Sequence, residues 1–258
     1  MNELVSIIMP SYNCAEYIEE SIRCVLAQTY PHWELIIIDD GSTDDSVARV
    51  TALKATDDRI ALYQNERNEG PAFTRNRALR MAKGRWIAFL DSDDLWEPEK
   101  LERQIRFMEE HGYAFTYTGY QEIDIQSRPT GVMVSGPRHI THWGMLKYDW
   151  VGCLTVMYDQ HRVGLVQIAR MKRLNDYAMW LKVIRKADCY LLDECLSRYR
   201  SDRQGSVSNQ GYLTLVVWHY RLFREAEGMG RLASLFLTGV NIVFGIYKKL
   251  WYVKRSKV

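Results

Sequence analysis

Three short apolar runs, each breaking off into a polar cluster, constrain the fold of this chain more than any other feature. Leu4 to Met9 (LVSIIM), Leu35 to Ile38 (LIII) and Trp86 to Leu90 (WIAFL) are too short for helices and rich in strand-forming residues. They are apolar on both faces, as strands are when helices cover both sides of a parallel sheet. Helix-like stretches alternate with them. One spans about 15–28, with Asn13 as its cap and Ile18, Ile22 and Val25 on one face. A second runs from Ser42, which with Asp45 resembles a capping box, to about Lys54. A third spans about 72–82, between the turn Asn68-Glu69-Gly70-Pro71 and Gly84, and Ile60 to Tyr63 supplies another short strand. The alternation predicts an α/β chain with a Rossmann-like, mostly parallel sheet. Ligands of such sheets bind beyond the carboxyl ends of the strands. Here those ends read Pro10-Ser11-Tyr12, Asp39-Asp40-Gly41-Ser42 and Asp91-Ser92-Asp93-Asp94.

Beyond the fourth strand the pattern predicts a helix from Pro98 to about His111, ended by Gly112, and a strand over Tyr113 to Tyr120. Residues 121–149 give no clear periodicity. A helix over Tyr177 to Lys186 follows, and Leu191-Leu192 begins a last strand. The tail from Leu232 to Val258 carries an apolar stripe (Leu232, Leu235, Phe236, Val240, Val243, Phe244, Tyr247) and a basic end with Lys248, Lys249, Lys254, Arg255 and Lys257. Basic residues interleaved with Trp251 and Tyr252 suit an anionic membrane surface, and the alternative is a helix packed on the body.

Composition narrows the function classes. With 258 residues and 47% hydrophobic content the chain can bury a full core, and a net charge of +2 excludes the basic footprint of a dedicated nucleic-acid binder. The 5 cysteines form no CxxC pair, as expected of reduced thiols in a cytoplasmic protein. Met1-Asn2-Glu3-Leu4 has no charged and then apolar leader, and no run reaches about 18 apolar residues. A protein peripheral to the inner face of the cell membrane is expected.

Asp91-Ser92-Asp93-Asp94 sets carboxylates two apart just past a buried strand, where a turn can aim them at one hard cation; an acidic capping turn is the plainer alternative. Asp40 can accept from a uracil imide or a ribose hydroxyl, and Tyr12 offers a ring face. Arg75 lies in the first turns of its helix, poorly placed for the dipole and so suited to an anion. His139 and His142 form an HxxH without a ligand framework. Arg198, Arg200 and Arg203 are either solvated or meet a diphosphate.

SIIMPSYN, QTYPHWELIIIDDGSTDDS, NEGPAFTRNRAL and GRWIAFLDSDDLWEPEKL, in that order, resemble the successive motifs of family 2 glycosyltransferases; weaker likeness resumes at Asn175-Asp176-Tyr177-Ala178-Met179-Trp180 and Tyr199-Arg200. The resemblance implies a GT-A fold with a C-terminal helical tail. It divides the chain into a catalytic domain over 1–210 (a nucleotide-sugar half, 1–112, and an acceptor half, 113–210) and a tail over 211–258. It also implies roles: Pro10 and Tyr12 in the nucleotide pocket, Asp40 on the uracil, Arg75 near base or diphosphate, Asp91-Ser92-Asp93 as the DxD motif. Asp93 would hold Mn²⁺ or Mg²⁺, with Asp91 contacting ribose, sugar or metal, and Asp176 would be the base. The family's acceptor motif opens with Glu-Asp; Asn175 replaces the first acid. The implied reaction moves a hexose or N-acetylhexosamine from a UDP-sugar, with inversion, to a lipid-linked or oligosaccharide acceptor of a surface polysaccharide. A sugar nucleotidyltransferase is disfavoured by Pro10-Ser11-Tyr12-Asn13 where a glycine-rich phosphate loop belongs. A non-catalytic binding module is favoured by Asn175 alone.

Overall fold

The computed structural model describes residues 3–169, 171–201 and 212–256. Among these, eleven strands share one sheet. β1 (Val5–Ser11) pairs in parallel with β2 (Trp33–Asp39) and β4 (Trp86–Phe89), and β2 pairs in parallel with β3 (Ile60–Gln64). Helices α1 (Ile18–Leu26), α2 (Ser46–Lys54) and α3 (Pro71–Met81) return the chain between them. The apolar runs need cover on both faces because neighbouring residues go to opposite layers. Ile7, Leu35 and Ile37 join the layer of Ile18, Ile22 and Val25, while Ile8, Ile36 and Ile38 join that of Leu79 and Trp180.

β5 (Leu95–Trp96) and α4 (Lys100–His111) lead to β6 (Phe115–Ile123); Gly112 ends α4 at φ 67, in the left-handed region favoured by glycine. Residues 121–149 contain the end of β6, then β7 (Pro129–Val134), β8 (His139–Ile140) and α5 (His142–Lys147). A 3₁₀ turn, Cys153–Thr155, leads to β9 (Met157–Asp159), which lies antiparallel between β4 and β6. After α6 (Gln160–Val163) and α7 (Asn175–Val183), β10 (Cys189–Arg200) runs parallel to β6 and antiparallel to β5 and β8. α8 (Tyr212–Arg221), a π-helical turn (Leu222–Ala226), α9 (Arg231–Trp251) and β11 (Val253–Arg255) complete the described chain.

Two expected caps are replaced by contacts between strand ends. Asn13 does not cap α1: it has φ 44, its side-chain oxygen accepts from the Thr43 amide at 2.8 Å, and its own amide donates to Ser42 Oγ at 2.9 Å. Ser42 opens no capping box; its amide donates to Asp39 Oδ2 at 2.9 Å, and α2 starts at Ser46. These bonds join the ends of β1 and β2 and so shape the cleft rather than a helix.

α9 packs with reversed polarity. Ser234, Thr238 and Asn241 are buried beside Leu237, while Leu232 (83% exposed), Phe236 (63%), Leu250 (73%) and Trp251 (67%) face outward. The inner face is hydrogen-bonded. Asn241 Nδ2 donates to Tyr177 Oη at 3.2 Å, and Lys248 Nζ donates to the carbonyls of Asp149 and Trp150 at 3.3 and 2.9 Å. Lys248 therefore leaves the basic set expected to face outward. Among the described residues, no helix is long and apolar enough to cross a membrane.

Candidate active site

A cleft of about 550 Å³ opens at the carboxyl ends of β1, β2 and β4. All the candidate residues, Pro10, Tyr12, Asp40, Arg75, Asp91, Ser92, Asp93 and Asp176, line it. The topology does this: three parallel strands deliver their polar ends to one edge, and α7 brings Asp176 to the same edge from far along the chain.

The second strand end is rigid. Gly41 has φ 77, and a Cβ there would lie 3.2 Å from the backbone of Arg67 and Asn68, so a side chain is excluded twice over. Asp40 is buried; its Oδ1 accepts from Asn65 Nδ2 at 2.7 Å and the Glu69 amide at 2.9 Å, and its Oδ2 from the Gly70 amide at 2.8 Å. A carboxylate offers about four acceptor positions. Asp40 thus pins the turn that starts α3 with three of them.

Arg75, on α3, is 7% exposed and forms an ion pair with Asp91, while its Nη1 donates to Asn175 Oδ1 at 2.8 Å. Its anion inside the fold is therefore Asp91, and its Nε is buried without a partner. Asn175, in place of an expected acid, still orients the guanidinium and adds no charge to an acidic cleft.

The loop after β4 concentrates negative charge. Asp94 is 3% exposed; burial raises its pKa well above the carboxylate range, and the charges of Asp93 and Asp91 raise it further. Arg200 braces this loop: its amide donates to Asp94 Oδ1 at 2.9 Å, its Nε to the Asp93 carbonyl at 2.8 Å, and its Nη2 to Glu20 at 2.9 Å. Arg200 is thus a buried brace and Arg198 is paired with Glu97, so neither is the diphosphate ligand considered above; Arg203 lies outside the described residues.

These donors fit a hard divalent cation in a particular way. The charges of Asp93 and Asp91 oppose the ionisation of Asp94, an effect that a cation would offset, and Asp91 is paired with Arg75. Among the described residues no group of three or more His, Cys, Asp or Glu could hold a metal by itself.

Asp176 is the second residue of α7, and its Oδ1 accepts from the Tyr177 amide at 2.9 Å. Asp149 is half-buried, with its Oδ1 buried and unpartnered; burial first and the charge of Asp176 second raise its pKa well above the usual range. His139 pairs with Asp188 at 2.7 Å and joins no metal cluster with His142. Tyr120, Cys153, Arg173, Tyr199 and Trp218 also line the cleft. Tyr199 falls in the weak likeness at Tyr199-Arg200 and Asp94 stood visibly within the acidic cluster, while Tyr120 on β6, Cys153 and Arg173 in turns and Trp218 on α8 carry no sequence signal.

The family model of glycosyl transferase family 2 matches residues 6–155. TuaG of Bacillus subtilis, assigned to teichuronic acid biosynthesis as a glycosyltransferase, is 40% identical over 225 residues, covering 87% of this chain and 88% of its own. WfgD of Escherichia coli, a UDP-Glc:α-D-GlcNAc-diphosphoundecaprenol β-1,3-glucosyltransferase, is 40% identical over 262 residues, with 98% of each chain covered. Among solved structures, residues 1–349 of TarS from S. aureus, in complex with UDP-GlcNAc, superpose with a TM-score of 0.72 at 21% identity, covering 91% of this chain and 70% of that one.

Proposed function

The chain belongs to glycosyl transferase family 2 and has the GT-A fold; we propose that it moves a hexose or N-acetylhexosamine from a UDP-sugar, with inversion, to a sugar carried on a lipid diphosphate. The observation that carries this reading is one cleft holding both the acidic loop after β4 and Asp176 at the head of α7. The first is suited to a nucleoside diphosphate, the second to an acceptor hydroxyl. WfgD, similar along nearly its whole length, supplies the donor and acceptor classes. Residues 1–112 then form the nucleotide-sugar half, 113–210 the acceptor half, and 211–258 the tail.

In this reading Pro10 and Tyr12 flank the nucleoside, Asp40 uses its remaining acceptor position on uracil or ribose, and Ser92 and Asp91 meet the donor. Asp93, with Asp91, would hold Mn²⁺ or Mg²⁺, which when bound offsets charge on the departing diphosphate. Arg75 holds Asp91 in place beside the donor. Asp176 takes the proton of the acceptor hydroxyl while that oxygen attacks the anomeric carbon opposite the diphosphate. Attack from that face inverts the centre, so one base suffices. The outward apolar face of α9, with Lys249, Lys254 and Arg255 beyond it, meets the anionic inner surface of the membrane, where a lipid-linked acceptor resides.

The test is a panel of UDP-sugars with Mn²⁺ or Mg²⁺, read by thermal unfolding. A bound donor at about 100 times its dissociation constant adds about 2.7 kcal/mol, with UDP-glucose the first candidate. Transfer to a synthetic N-acetylglucosaminyl diphosphate lipid follows. No stabilisation by any UDP-sugar, or a retaining linkage in the product, overturns the proposal.

A further inference from the structure

Among the described residues, two guanidinium groups line the cleft, Arg75 and Arg173. Arg75 is engaged, because Asp91 and Asn175 hold its terminal nitrogens. Arg173 is not: it is half-buried, and its side chain has no hydrogen bond or ion pair with any described residue. It is presented on an unfavourable backbone. Leu174, which follows it, has φ 52, a left-handed conformation that costs a non-glycine residue about 1 kcal/mol or more. A partly desolvated cation without a counter-charge is unfavourable in the free protein and is stabilised by an anion from outside. Among the described residues, the other Asp, Glu, Lys, Arg or His side chains lining the cleft are the carboxyl groups of Asp40, Asp91, Asp93, Asp94 and Asp176. Without a cation between them, they repel a phosphate group brought in beside them.

We propose that Arg173 binds the diphosphate of the acceptor, an inference that rests on the glycosyltransferase reading above. A planar guanidinium takes two phosphate oxygens side by side. Arg173 stands three residues before Asp176, so their Cα atoms are at most about 11 Å apart. Both side chains line the same cleft, so a sugar whose hydroxyl rests on Asp176 has its anomeric diphosphate within reach of Arg173, one ring away. The donor diphosphate belongs with the acidic loop after β4, at different residues. Trp218 and the 40% exposed Leu215 of α8 add apolar wall for the start of a lipid chain. Arg173 thus selects acceptors that carry a diphosphate over those that end in a simple glycoside.

The experiment uses the full chain, UDP-glucose (or whichever donor the panel gives) and two acceptors. They share N-acetylglucosamine and an alkyl tail, joined through a diphosphate in one and a plain ether in the other. Arg173→Gln is expected to raise KM for the diphosphate acceptor at least about tenfold. KM for the ether acceptor and the dissociation constant for UDP should stay unchanged, and Arg173→Lys should recover part of the loss. Equal effects on both acceptors, no effect on either, or weakened UDP binding (the donor's diphosphate as the true ligand) each overturn the inference. Wild-type protein that transfers to neither acceptor refutes the underlying glycosyltransferase reading instead, which keeps the two failures distinct.

Discussion

Replacing Asp176 with Asn separates chemistry from architecture. Asp176 Oδ1 accepts from the Tyr177 amide at 2.9 Å, and an asparagine Oδ1 accepts the same bond, so the start of α7 survives. Loss of the charge acts behind the cleft. Asp149 is kept from ionising by burial and then by Asp176, so Asp176→Asn lowers the cost of a charged Asp149 at neutral pH. The melting temperature should therefore hold or rise. Removal of a general base costs about 10²- to 10⁴-fold in rate, or about 3–5 kcal/mol of barrier. Asp176 acts on the acceptor proton in the transition state, so the loss should fall on kcat while KM for the UDP-sugar stays constant. The assay is initial-rate UDP release at saturating donor, alongside thermal melts of the same samples. A rate within about threefold of wild type refutes the assignment, and Asp149→Asn becomes the next variant to make. A melting temperature several degrees lower would instead make Asp176 a structural cap.

Asp93→Ala should abolish transfer and the Mn²⁺-dependent part of UDP binding, measured by calorimetry with and without the ion; unchanged metal dependence would place the cation elsewhere. Lys100 is buried without a hydrogen-bond partner over the Trp96 ring, and burial pushes its pKa down from 10.5 to about 7. Between pH 7 and 10.5 the unfolded chain binds more protons there than the folded one, so stability rises with pH through that window. Lys100→Met should flatten the rise and stabilise most below pH 7, by about 2 kcal/mol after loss of the cation–π contact, in denaturant melts across pH. Leu235, Phe236 and Val243 are 59%, 63% and 63% exposed, so changing all three to Ser should abolish sedimentation with anionic vesicles at an unchanged melting temperature. Lys249, Lys254 and Arg255 changed to Gln should weaken vesicle binding by about 1 kcal/mol each, less at high salt.

The parallel half of the sheet and the cleft were legible because short runs that are apolar on both faces have few other folds, and their polar ends must then share an edge. The caps were misread for a physical reason. Asn13 and Ser42 have equally good partners in the neighbouring loop, and those tertiary bonds prevail over local capping. β7 and β8 escaped notice because they are short and largely exposed, which removes the alternation that marks a half-buried strand. The inner face of α9 was hidden more deeply. A stripe repeats with the same period whichever side faces the body, so periodicity cannot reveal that Asn241 and Lys248 point in. Arg200 likewise read as a motif cation, and its work as a brace appears only once Glu20, Asp93 and Asp94 surround it.

The short strand β11 has a consequence for handling the protein. It pairs antiparallel with β7, setting Val253 against Val134 and Arg255 against Val132, with the Ser256 amide donating to the Gly131 carbonyl at 2.9 Å. Without it, β7 would end the sheet on that side with unpaired amides and carbonyls beside Val132 and Val134, a template for a second copy. The three residues of β11 close that margin and replace it with a brief, basic one that accepts no further strand readily. Removing the tail at Gly230 therefore strips away a seal against self-association as well as a candidate membrane face. A truncated chain lost from vesicle sedimentation has to be checked by light scattering before the loss is credited to lipid.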